Sequence, residues 1–333
     1  MALLWGDGFG HWGSAANALA GGYTNFASII VNNAGLARTG NYYLNMDTNG
    51  NPTCRRVLDD PGSGLFGMGF AWYLIPGGVS CDMIMETGGA NTIRVNCSTS
   101  DLAVRVYQNG ALLGTSPTNV LLLNTYAQIE VKINNTGALG SHTVEVRQNG
   151  VPVNVLTVTG LSIDPVTAFY VRASGSGTRG ADLYAWDGTG TENNNWLGDR
   201  RCVTLLANAN GAIQEWVPSA GSAFDCINNV PPGASYIESS LVNEISEFQK
   251  DPVPALTTSI AGVVLFAYTI KTDAGPAGYR LGLNKSGVVS NGSEIFPGTA
   301  GSFGHSILQT DPDGLAWSRT ALDNATVRIT RTT

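Results

Sequence analysis

Alternation with a period of two residues runs through most of this chain. It forces a β-rich fold, because side chains on a strand point to opposite faces and one buried sheet face writes an apolar residue at every second position. Phe66, Met68, Phe70, Trp72 and Leu74 form one such row. Val79, Cys81, Met83 and Met85 form the next, with Ser80, Asp82 and Glu86 opposite, across the turn residues Pro76-Gly77-Gly78. Ile93, Val95 and Cys97 alternate with Arg94 and Asn96, and Leu102, Val104 and Val106 alternate with Arg105. Ala127, Ile129, Val131 and Ile133 alternate with Gln128, Glu130 and Lys132. Each row predicts a half-buried antiparallel strand whose polar members face away from the core.

Turn chemistry sets the register. Asn109-Gly110 and Asn149-Gly150, each preceded by Gln and flanked by strand residues, carry the signature of a two-residue hairpin turn. If the strands 79–87 and 91–98 fold about Gly89 in Gly88-Gly89-Ala90, Cys81 faces Cys97, and the pair is expected as reduced thiols packed in the core. Helix is scarce. Ser239–Lys250 places Leu241, Ile245 and Phe248 at helical spacing before Asp251-Pro252-Val253-Pro254 ends the run, and a strand there stays open.

Between Asp187 and Asn195 no hydrophobic residue is available to bury, so the segment reads as a linker. The expected organisation is all-β: a first domain over 1–188, a linker over 189–196, and a second, smaller β-sandwich over 197–333 with its clearest strands at Ala261–Ile270, Gly278–Leu283 and Thr326–Thr330. Tyr184 and Trp186 share a strand face beside that junction and, with Trp196, are the candidate interdomain or interface aromatics.

Charge excludes several partners. Only 13% of residues are charged, against about 25% in ordinary soluble domains, and the net charge is −7. So few Lys and Arg cannot neutralise a row of phosphates, which excludes nucleic acid and disfavours anionic lipid as partners. The longest apolar stretch, Ile260 to Ile270, is about half the roughly 20 residues a spanning helix needs and contains Gly262 and Tyr268. Met1 to Trp5 lacks a basic flank and a long apolar run, so the expectation is synthesis in a cytoplasm without a secretory signal.

Chemistry-bearing motifs are weak. The five cysteines include no Cys-x-x-Cys, and His11, His142 and His305 lie far apart, so no metal or other cofactor is expected. Three matches to G-x-G-x-x-G, starting at Gly8, Gly62 and Gly175, lack the strand, helix and distal acid of a dinucleotide site and read as loop glycines. His305 near Ser302 and Ser306 is the one hint of a hydrolytic group. Asp59-Asp60 and Asp311/Asp313 are the acidic pairs that could serve as glycosidase carboxylates or calcium ligands. Asp47-x-Asn49-x-Asn51 begins like a calcium loop, but Pro52 and Leu58 stand where Gly and Glu are needed. No catalytic residue is assigned, and a non-enzymatic protein is expected.

Two resemblances extend this reading. Tyr126–Ile133, leading through Ser141–Arg147 into Gln148-Asn149-Gly150, resembles the late strands of the laminin-G or concanavalin A-like jelly roll. A second set of residues resembles a domain of minor structural proteins of tailed bacteriophages and prophages. Its marks are Asp182-Leu183-Tyr184, Asp187-Gly188-Thr189-Gly190, Leu197-Gly198-Asp199-Arg200, Trp216, Tyr236-Ile237, Thr272-Asp273-Ala274-Gly275, and Thr310-Asp311-Pro312 followed by Gly314 and Trp317. The resemblance implies a virion component of the tail, neck or capsid surface, made in the host cytoplasm, whose partners are other virion proteins and copies of itself. The alternative it leaves is a lectin-like module of a phage fibre that binds a host glycan or receptor.

Overall fold

In the computed structural model the chain divides into two compact units, Met1–Val203 and Thr204–Thr333. The structure describes residues 3–9, 12, 23–25, 29–32, 38, 42–46, 53–58, 64–77, 80–88, 91–173, 178–229 and 232–333. Asp47–Asn51, Asp59-Asp60, Val79, and Gly89-Ala90 of the predicted hairpin turn lie outside the described residues.

The first unit is a jelly-roll sandwich. Its strands are β1 (Leu3–Asp7), β2 (Tyr23–Asn25), β3 (Ile29–Asn32), β4 (Tyr42–Met46), β5 (Thr53–Val57), β6 (Leu65–Tyr73), β7 (Cys81–Thr87) and β8 (Asn91–Cys97). They continue as β9 (Val104–Gln108), β10 (Ala111–Thr115), β11 (Tyr126–Asn134), β12 (His142–Gln148), β13 (Leu156–Leu161), β14 (Val166–Ala173) and β15 (Thr178–Asp187). One sheet runs β13-β12-β11-β6-β15-β4-β3, with β1 also on β15, and the other runs β10-β9-β8-β7-β14-β5-β2. All their pairings are antiparallel.

The period-two rows are the core. Phe66, Met68, Phe70, Trp72 and Leu74 are buried, as are Ile129, Val131, Ile133, Val144 and Val146 on the strands beside them. The two sheets meet through contacts such as Phe66 on β6 with Phe169 on β14, ring centres 6.0 Å apart. Cys81 pairs with Cys97 across β7 and β8 as expected, and both are buried free thiols. Each Asn-Gly pair adopts the positive φ angles of its turn, 50° and 85° at Asn109-Gly110 and 52° and 70° at Asn149-Gly150. Both asparagines also extend a neighbouring strand. Asn149 donates its N–H to Gln128 O and accepts Gln128 N–H on its side chain, each at 2.8 Å. Asn109 does the same with Thr92.

The second unit contains β16 (Ala207–Gln214), β17 (Val217–Pro218), α1 (Ala223–Ile227), β18 (Ile237–Glu238), β19 (Ile245–Lys250), β20 (Val263–Thr269), β21 (Tyr279–Lys285), β22 (Val288–Asn291), β23 (Ser302–Leu308), α2 (Arg319–Asp323) and β24 (Ala325–Arg331). A five-stranded sheet, β16-β19-β24-β21-β22, packs against the β20–β23 ribbon. Leu265 and Leu308 of the ribbon share a core with Phe248, Leu281, Leu283 and Ile329 of the sheet, closed by Trp317. Within 239–250, Ile245–Lys250 takes the strand alternative. Leu241 is 65% exposed, so no apolar helical face exists, while β19 pairs with β16 on one side and β24 on the other and buries Phe248. Among the described residues no helix is long and apolar enough to cross a membrane.

The division between units falls after Val203 rather than in 189–196. The reason is a network of buried polar groups that ties 197–202 to the first sandwich.

Candidate functional site: the outer face and free edges of the first sandwich

On β6, residues 67, 69 and 71 point away from the sandwich core, and the sequence there is Gly67, Gly69 and Ala71. This row without bulk lets aromatic rings from β15 lie flat across it. A Cβ at Gly67 would overlap the Trp186 indole, and one at Gly69 would overlap the Tyr184 ring. Both rings are thereby buried, and both reach Glu130 or its surroundings beyond β6.

Glu130 is the centre of the network. It lies opposite Gly69 in the β6–β11 register. Its Oε1 accepts from Trp186 Nε1 at 3.1 Å and from Leu197 N–H at 2.7 Å, and its Oε2 accepts from Gly198 N–H at 2.9 Å. Tyr184 OH donates to Gly198 O at 2.7 Å. Asp182 sits at a break in the β15 register with φ 54° and accepts Cys202 N–H at 2.9 Å. Arg38 donates to Gln128 Oε1 at 2.5 Å, Asp182 Oδ2 at 3.0 Å and Arg200 O at 3.1 Å, and also pairs with Asp199. Segment 197–202 is therefore a strap across the outward face of the sheet. Burial raises the Glu130 and Asp182 carboxyls above the usual carboxylate range, against the lowering effect of these hydrogen bonds and, for Asp182, of the Arg38 charge.

Sequence reasoning placed Gln128 and Glu130 on a polar face, which is correct, but the strap buries both. Tyr184 and Trp186 find their partners at Gly69, Gly67, Gly198 and Glu130, all within the first unit. Trp196 lies just outside the strap and is half-buried. Arg147 stacks 4.2 Å from its ring centre and Lys132 4.8 Å. Glu145, Asn154 and Thr157 complete a polar rim around it, linked through Lys132–Glu145 at 2.7 Å and Arg147–Asn154 at 2.9 Å. The signal for this patch was present as outward Lys132 on one strand and outward Glu145 and Arg147 on the next. Beside it, Leu122, Val151, Val153 and Val155 with Asn149 and Asn154 line an open depression of about 340 Å³.

Strands β10 and β13 end the two sheets on the same side of the sandwich, where Gly114 packs against Val158 and Leu156. Neither strand contains a charged residue or a proline. On β10, Leu112 is 55% exposed and Leu113 is also exposed. Natural edges usually carry lysine, proline or a covering element to prevent pairing with another chain.

The remaining sequence candidates among the described residues make the following contacts. His305 and Ser306 are adjacent on β23 and so point to opposite faces, and Ser302, three positions from His305, also faces away from it. His305 packs on Phe266, ring centres 6.1 Å apart. Asp311 Oδ1 accepts the N–H groups of Asp313 and Leu315, at 3.0 and 2.9 Å, and so shapes its own loop. Lys285 Nζ lies 2.5 Å from a carboxylate oxygen of both Asp311 and Asp313, placing an ammonium between the two acids. Among the motif glycines, Gly67 and Gly180 are sites of close ring contact, the latter with Phe70.

No family model and no curated protein matches the sequence. Among solved structures, galectin LEC-6 of Caenorhabditis elegans is similar at 8% identity, over 43% of this chain and 94% of its own, with TM-score 0.31. A galectin-like-fold protein of Bacillus subtilis is similar at 10% identity over 56% and 96%, with TM-score 0.35. Alginate lyase vAL-1 from a Chlorella virus is similar at 10% identity over 48% and 89%, with TM-score 0.36. No activity passes from any of them to this chain.

Proposed function

We propose that this protein is a non-catalytic assembly component, a virion structural protein of a tailed phage, that joins copies of itself through the neighbouring sheet edges β10 and β13. One observation carries the reading: two adjacent terminal strands, Ala111–Thr115 and Leu156–Leu161, carry no charge or proline, and Leu112 and Leu113 are exposed on one of them. Such an edge offers a row of backbone donors and acceptors to a further strand, and a second copy presents the same uncharged edge in return. The strap supports the reading from the other side, because the buried acids Glu130 and Asp182 are consumed in holding the chain's own backbone. The phage assignment comes from the residue resemblance alone. Sedimentation velocity across a concentration series, on the full chain and on Leu112→Lys, tests the assembly. Association in the parent that the lysine weakens supports it, and a parent that stays monomeric throughout removes it.

A second reading, a glycan-binding module, is favoured by the half-buried Trp196 with its rim of Arg147, Asn154 and Glu145, since sugars dock on flat rings edged by hydrogen-bonding groups. A glycan array probed with the full chain and with Trp196→Ala tests it. Sugar capture that the alanine abolishes would promote this reading, and an empty array would retire it.

A further inference from the structure

The outward side of β11, β12 and the loop before β13 brings together an amine, a carboxylate and a side-chain amide. Lys132 stands opposite Glu145 in the β11–β12 register, with Nζ 2.7 Å from Glu145 Oε2. Glu145 Oε1 accepts from Asn154 Nδ2 at 2.6 Å. One carboxylate therefore holds the lysine amine on one oxygen and the asparagine amide on the other. Arg147 Nε donates to Asn154 Oδ1 at 2.9 Å, and Asn154 Nδ2 also donates to Thr157 Oγ1 at 3.0 Å, so the amide is fixed at both ends. The Trp196 ring covers Lys132 and Arg147, and the Lys132 and Glu145 side chains retain only 16% and 22% exposure.

A surface ion pair would be complete with Lys132 and Glu145. The positioned amide and the cation on its carbonyl oxygen are what an acyl transfer requires in addition: a proton carrier touching both nucleophile and leaving group, and a donor on the oxygen that gains charge. We infer that Lys132 and Asn154 condense into a side-chain isopeptide cross-link, with Glu145 as the proton carrier. Glu145 takes a proton from the Lys132 ammonium, and the free amine attacks Cγ of Asn154. Negative charge develops on Oδ1 beside Arg147. Glu145 passes that proton to Nδ2 and takes the second proton that Nζ carries once the Nζ–Cγ bond has formed; the Cγ–Nδ2 bond then breaks as Oδ1 returns to a carbonyl, and the ammonia that leaves carries the second proton away as ammonium. No oxidant, metal or cofactor enters the balance. The bond spans β12 and ties β11 to the β12–β13 connection, clamping the last three strands of that sheet. It stands whether or not the chain self-associates.

The test is the intact mass of the full chain, purified and fully denatured, with removal of Met1 allowed for. The cross-link lowers the mass by about 17 Da, one ammonia. Tryptic digestion of the parent then yields a branched peptide joining the segment around Lys132 to the one around Asn154. Lys132→Arg, Asn154→Ala and Glu145→Gln each return the calculated mass and lose the branched peptide. Lys132→Arg keeps the positive charge and the pairing with Glu145, so its fold is retained, as circular dichroism will check. A parent chain at its calculated mass overturns the proposal. So does an ammonia loss that maps instead to a succinimide at an Asn-Gly pair such as Asn149-Gly150, or one that survives in Lys132→Arg.

Discussion

Removing the Glu130 carboxylate is the sharpest perturbation of the first sandwich. In Glu130→Ala three donors lose their acceptor: Leu197 N–H, Gly198 N–H and Trp186 Nε1–H, at 2.7, 2.9 and 3.1 Å in the parent. Hydrogen bonds to a charged group contribute about 1.5–3 kcal/mol each. Two of the three hold the strap, and because its backbone can turn to water once released, the lower figure applies, giving about 3 kcal/mol for opening the strap alone. At about 1.4 kcal/mol per factor of ten, the Leu197 and Gly198 amides should exchange with solvent about 100-fold faster. Glu130→Gln keeps an acceptor for Leu197 and Trp186 but turns an NH₂ group towards Gly198 N–H, so acceleration centres on Gly198 at about tenfold. Hydrogen-exchange mass spectrometry on peptides covering 196–203 reads both variants directly. Unchanged protection in Glu130→Ala would refute the reasoning, because it would mean that the strap is held by packing and not by this carboxylate.

Three further outcomes follow from the same contacts. Burial raises the folded-state value of Glu130, so its linked contribution is fully present below its unfolded value of about 4.3 and is lost as pH rises through the raised folded value. The stability of the parent relative to Glu130→Gln, measured by urea unfolding from mildly acidic to neutral pH, should therefore shrink as pH increases, and a difference that grows would contradict the assignment. Gly69→Ala places a methyl group inside the Tyr184 ring position and should destabilise by about 1–3 kcal/mol, lowering the thermal midpoint; an unchanged midpoint would mean that the ring moves aside freely. Burial raises the Cys81 and Cys97 thiols well above their ordinary value, so iodoacetamide at mildly alkaline pH should leave both unmodified in the folded protein and label both in denaturant.

The parts of this fold that were legible in the sequence are those governed by local alternation and turn geometry. The Phe66 to Leu74 row, the Asn-Gly turns and the opposition of Cys81 and Cys97 all rest on spacing within one strand or one hairpin. The strap was not legible, because 197–202 is held by groups distant in sequence: Glu130 is 67 residues from Leu197, and Arg38, which also donates to Arg200 O, is 144 from Asp182. Composition marks 187–195 as lacking residues to bury, and nothing in composition signals that the residues just after it, 197–202, are bound by buried acids on an existing sheet. The strand at 245–250 was ambiguous for a related reason. Its helical spacing is real, yet Leu241 is exposed and the backbone partners that decide the matter lie on β16 and β24. Of the aromatics singled out, Trp196 is half-exposed, whereas Tyr184 and Trp186 are fully committed to the glycine row of β6, a contact that only the sheet register could reveal.

The measurement closest to the central claim is electron microscopy of the purified full chain, with Leu112→Lys prepared in parallel. The account predicts closed or repeating multimers whose subunits meet along the β10 and β13 side, and their dispersal by the single charge. Particles that remain single subunits at the highest soluble concentration, or multimers joined through another surface and indifferent to the lysine, would contradict it.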